Sequence, residues 1–114
     1  MEPQNHKFEI VGSRDKDITA KIKALTADGE TGILEIKDGL ISVTGYCNQL
    51  NGSVADKKIS STRKMPLKPE LAEIETYVAQ VLENCSYAWA AQTWSGKTIL
   101  IEGEGKSLML KSLA

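Results

Sequence analysis

The sequence predicts an α+β domain, mainly β. The expected architecture is a curved antiparallel sheet or partial barrel of short strands, packed on one α-helix at about 69–84. Three observations predict it. Short apolar–polar alternations recur along the chain, with the period of strands that have one wet face. Asp-Gly pairs at 28–29 and 38–39 punctuate them as turn signals. One later segment changes period to three and four, which is helical. Strands, one helix and strands again is the order of a helix laid against a sheet.

Residues 1–6 are polar and are expected to form a disordered tail that carries the single histidine, His6. Phe8 and Ile10 alternate with Lys7 and Glu9, which reads as a first strand. Residues 12–17 read as a charged turn. Ala20, Ile22 and Ala24 alternate with Lys21 and Lys23 and read as a half-buried second strand, closed by Asp28-Gly29. Leu34 and Ile36 form the apolar face of the next strand, and Ile41 and Val43 that of its hairpin partner across Asp38-Gly39. Residues 48–56 are polar and read as a loop with a short strand near 52–54. Residues 57–61 could form another strand. Residues 65–69 are expected to be irregular, because Pro66 and Pro69 remove donors and fix φ.

Pro69 suits the first position of a helix. Leu71, Ile74, Val78, Val81, Leu82 and Cys85 then fall on one stripe, with Tyr77 at its edge. Glu73, Glu75 and Gln80 are placed on the other side. The aromatic-rich stretch 87–94 reads as a strand, with Trp89 facing the core and Trp94 the surface. Ile99 and Ile101, then Leu108 and Leu110, mark two last strands around a loop at 103–106.

The chain has 114 residues, 41% of them hydrophobic and 25% charged, with a net charge of -1 and a mean hydropathy of -0.24. That length suits a single domain over 1–114. A near-neutral balance argues against a nucleic-acid binder, which needs a basic excess. No apolar run approaches the roughly 20 residues of a membrane span. The first residues do not read as a secretory leader, so a cytoplasmic, intracellular location is expected. The Asn-x-Ser patterns at Asn51 and Asn84 then carry no meaning.

The candidate catalytic groups do not assemble on paper. Ser95-Gly96-Lys97-Thr98 has the tail of a phosphate loop, but Ala91 stands where the first glycine belongs and strands flank both sides. His6 with two separated cysteines, Cys47 and Cys85, is short of a zinc set or a nucleophile–base pair. Glu102 and Glu104 read as solvated strand ends rather than a paired-carboxylate device. The expectation is a non-enzyme without cofactor or metal. Both cysteines are expected to be reduced thiols directed toward the core.

The stretch Gly45-Tyr46-Cys47-Asn48-Gln49-Leu50-Asn51-Gly52-Ser53-Val54 resembles the signature of the META domain, the HslJ-like family. The segment from Ile59 to Met65 is similar to the family's apolar-x-x-Thr-x-x-Met pattern, and an acidic amphipathic helix and a final hairpin follow in family order. The motif residues are Gly45, Cys47, Asn48, Gly52, Thr62 and Met65, expected to be architectural. Pro66 stands where many members carry the cysteine that pairs with the motif cysteine. The resemblance implies a small β-rich fold without known enzymatic activity. It also implies a role in stress, virulence or secretory traffic, in character closest to the intracellular trypanosomatid members that could work near secretory or flagellar-pocket membranes. The leading expectation is therefore a monomeric interaction module with a protein partner, Trp89 and Trp94 being the possible binding surface. The alternative is a carrier of a lipid or small apolar ligand, lined by Leu40, Trp89 and Met109.

Overall fold

A computed structural model describes residues 4–65 and 68–113. Its class is the expected one: α+β, mainly β, with an antiparallel sheet that is curved and unclosed. The elements are β1 (His6–Gly12), α1 (Lys16–Ala27), β2 (Ile33–Lys37), β3 (Leu40–Thr44), β4 (Leu50–Ser53), β5 (Ser60–Ser61), α2 (Pro69–Asn84), a 3-10 turn (Ala88–Ala91), β6 (Thr98–Gly103) and β7 (Lys106–Ser112). The sheet order is β5-β4-β3-β2-β1-β7-β6, so the first strand joins the two halves of the chain by pairing with the last.

Two hairpins set the register. In the β2–β3 turn, Asp38 and Gly39 both have positive φ, at 54° and 77°, the geometry of a two-residue turn whose twist matches the strands. Lys37 consequently pairs with Leu40, and Leu34, Ile36, Ile41 and Val43 all reach one face. The β6–β7 turn repeats the device with Glu104 and Gly105. Phe8, Ile10, Ile99, Ile101, Leu108 and Leu110 complete the inner face. Leu71, Ile74, Val78, Val81 and Leu82 of α2 fill it from the other side.

The structure corrects four sequence expectations. The run 20–24 is helix, not strand, so the sheet packs on two helices rather than one. Ile18, Ile22 and Leu25 recur at four and three and are buried together, while the Ala–Lys alternation inside the run is incidental. Asp15 caps this helix by accepting from the amides of Asp17 and Ile18 at 2.9 and 3.2 Å, and Asp28-Gly29 ends it instead of turning between strands. Second, the stretch 87–94 is not a strand. Local bonds from the amides of Ala90 and Gln92 to the carbonyls of Tyr87 and Trp89 tighten it into the 3-10 turn. Third, His6 opens β1 rather than lying in a tail: its Nε2 is 3.0 Å from the Ala90 carbonyl oxygen and its ring stacks on Phe8. Fourth, Glu75 of α2 is buried, not on the solvent side.

In the segment 57–61 only Ser60 and Ser61 are strand. The expectations for residues 1–3 and for Pro66 fall outside the described residues. No helix among the described residues is long and apolar enough to cross a membrane.

Candidate functional site

Two of the motif residues, Asn48 and Thr62, meet in one hydrogen-bond cluster around a buried side chain. Asn48 leaves the loop after β3 and is nearly inaccessible. Its Oδ1 accepts from the Thr62 hydroxyl at 2.9 Å and from the Lys64 amide. Its Nδ2 donates to the Lys64 carbonyl at 3.0 Å and to Glu75 Oε1 at 2.8 Å, and its own amide donates to Glu75 Oε2 at 2.7 Å. The loops after β3 and after β5 are thus clamped to α2 through a single amide and a single carboxylate. Every atom in the clamp is satisfied, as a buried polar group requires.

Glu75 is the member that the sequence reading misses. The signal was present: Glu75 stands four residues after Leu71 and three before Val78, on the margin of the apolar stripe. A carboxylate at that position has to find donors when the stripe is buried.

The other motif residues divide. Gly45 has φ +96°, and a Cβ there would lie 1.8 Å from the Thr31 carbonyl oxygen. Gly52 lets the backbone of Lys58 approach: a Cβ would be 2.5 Å from its oxygen. Met65 is 89% exposed and takes no part in the core. Cys47 sits half-buried in the loop after β3 and packs against the core, as expected. Beside the clamp, Tyr46 packs on Gly32, and its buried hydroxyl has no hydrogen-bond partner among the described residues. Burial first, and the Glu75 carboxylate second, push that phenol well above its ordinary value.

Cys47 and Cys85 are free thiols. Burial raises the Cys85 thiol, disfavouring the reactive thiolate. Alkylation without reductant should therefore modify Cys47 alone in the folded protein and both cysteines after unfolding, read by intact mass. An unfolded protein that takes up no alkyl group would reveal a disulfide and refute this.

Trp89 and Trp94 lie at the end of the sheet where β1 begins. Trp89 packs against Phe8, Tyr87 and His6, with ring centroids 5.7, 5.4 and 6.5 Å away. Trp94 donates its indole N–H to the Trp89 carbonyl at 2.8 Å. Both are half-buried and join the margin of the core. Beside them runs a groove of about 490 Å³ lined by Leu40, Val54, Ala55, Tyr87 and Ala91 with Asp38, Gly39 and Ser53. Leu40 is 63% exposed.

The three residues expected to line a carrier cavity are not brought together. Leu40 stands at the β2–β3 turn, Met109 pairs with Leu100 at the other side of the sheet, and Trp89 is in the 3-10 turn. Both helices pack into the same core as the inner face of the sheet and fill it. No group of three or more His, Cys, Asp and Glu side chains suited to a metal occurs among the described residues. Ser95-Gly96-Lys97-Thr98 forms a turn entering β6, not the start of a helix. Glu104 is in the exposed β6–β7 turn, and Glu102 is bound to Arg14 at 3.0 Å. No family model matches the chain, and no match is found among curated proteins or solved structures.

Proposed function

We propose that this chain is a non-enzymatic interaction module of META type that docks a protein partner at the aromatic end of its sheet. The observation that carries the reading is Leu40. A strand-borne leucine exposed at a hairpin tip, forming one wall of a groove whose other walls include Tyr87 and Ala91, is poorly used unless something covers it. The half-buried Trp89 and Trp94 are packed against the core at that end, so a partner meeting them there has fewer side chains to order. The resemblance of residues 45–54 to the META signature supports a stress, virulence or secretory-traffic role inside the cell.

Leu40→Lys tests this. The side chain is exposed, so stability should change by less than about 0.5 kcal/mol. Burying a leucine contributes roughly 1.5–3 kcal/mol, so recovery of a specific partner by affinity capture from the source cell should fall at least about tenfold. Equal recovery by the variant, or no specific partner with either protein, would count against the reading.

A further inference from the structure

At the opposite end of the sheet, three hydroxyl groups stand in a row. Tyr77 Oη lies 3.0 Å from Ser13 Oγ, which lies 3.1 Å from Ser107 Oγ. Each oxygen also accepts a backbone amide: Ser107 N to Tyr77 at 3.1 Å, Asp15 N to Ser13 at 3.1 Å, and Arg14 N to Ser107 at 2.9 Å. The row has three protons and only two links. Ser13 cannot accept from both neighbours, because its amide donor already takes one of two lone pairs. One O–H is therefore left over at an end of the row, on Tyr77 or on Ser107. No acceptor among the described residues takes it.

Both ends line one cleft of about 510 Å³, together with Arg14, Asp15, Glu102, Gly105 and Lys106. Most of its charges are already committed. Arg14 is paired with Glu102 at 3.0 Å, and Asp15 caps α1. Lys106 has no ion-pair partner among the described residues. A hydroxyl donor without a protein acceptor and an ammonium without an ion-pair partner share this cleft, and both can donate to one anionic oxygen group. We propose that the cleft binds a small oxyanion, phosphate or carboxylate, between the Ser13–Tyr77–Ser107 row and Lys106. The neighbouring carboxylates of Asp15 and Glu102 weaken such a ligand and hold the expected affinity near the millimolar range. The site lies away from the Leu40 groove, so the two readings stand or fall separately.

Titration of the full chain with inorganic phosphate, and separately with acetate, followed by amide NMR at ionic strength matched with sodium chloride, tests the proposal. Saturable shifts are expected at Arg14, Asp15 and Ser107, with Kd of about 1 mM. Lys106→Gln, at a half-exposed position that folding tolerates, should weaken binding by about fivefold, the loss of one charge-assisted contact. Lys111→Gln, on an exposed β7 position outside the cleft, should leave it unchanged. Saturation by phosphate alone assigns a phosphoryl ligand, and by acetate alone a carboxylate. Absence of saturation, as for a cleft that holds only water, would overturn the proposal. So would equal shifts with chloride, or unaltered affinity in Lys106→Gln.

Discussion

Glutamine in place of Glu75 will destabilise the fold by about 2–3 kcal/mol, the cost of leaving a buried donor unpaired. The carboxylate accepts two N–H donors from Asn48, one on each oxygen. Glutamine has one acceptor oxygen and must turn its NH2 toward one of those donors. Asn48 cannot flip to receive it. Its Oδ1 is held by the Thr62 hydroxyl and the Lys64 amide, and a flip would set Nδ2 against the Lys64 N–H. The strain therefore stays in the clamp. For a chain of this size the loss corresponds to roughly 10 °C in Tm. The exposed Glu70→Gln, in the first turn of the same helix, should cost less than about 0.5 kcal/mol. Urea unfolding of the two variants gives the comparison. A Glu75→Gln midpoint no lower than that of Glu70→Gln would remove the clamp from the account of this fold.

Much of the fold is legible in the sequence because its signals are local. The Asp38-Gly39 turn and the alternations on either side fix β2 and β3, since positive φ at both central positions is what that pair tolerates. The α2 stripe is long enough for its period to be unambiguous. α1 is not legible in the same way. Its twelve residues contain a five-residue run, 20–24, that satisfies both periods, and only the wider spacing from Ile18 to Leu25 separates them. The aromatic stretch 87–94 has strand propensity, but a bond from His6 and another from the Gln4 amide to Ala90 anchor a turn there. The candidate sites are less legible still. Ser13, Tyr77 and Ser107 meet only because β1 pairs with β7 while α2 crosses the sheet, which nothing local in the three segments announces. Asn48 and Thr62 are visible as motif residues, but Glu75, which accepts from Asn48 alone of the two, is hidden by its placement with the solvent-side glutamates.

Alanine at Gly45 is expected to cost more than any other single methyl group added to this chain, about 4 kcal/mol or more. Two penalties coincide there. The backbone sits at φ +96°, where a side chain is strained whatever the space around it. The new Cβ would also lie 1.8 Å from the Thr31 carbonyl oxygen and 2.9 Å from its carbon. Those atoms are main chain, so no rotamer can move them aside. Thr31 leads directly into Gly32, whose carbonyl accepts from the Ile10 amide at 2.9 Å and whose Cα faces the Tyr46 ring. Relieving the clash would pull on the β1–β2 junction and on Tyr46 together. Gly29→Ala separates the two penalties. Gly29 has φ +86° but nothing within 4 Å of its Cβ position, so its alanine should show backbone strain alone, about 1–2 kcal/mol. Against a total stability on the order of 5–15 kcal/mol, the Gly45 variant should lose most of its soluble yield and unfold at a much lower urea concentration. Equal midpoints for the two variants would mean that the close approach of the Gly45 and Thr31 backbones is not part of the native structure.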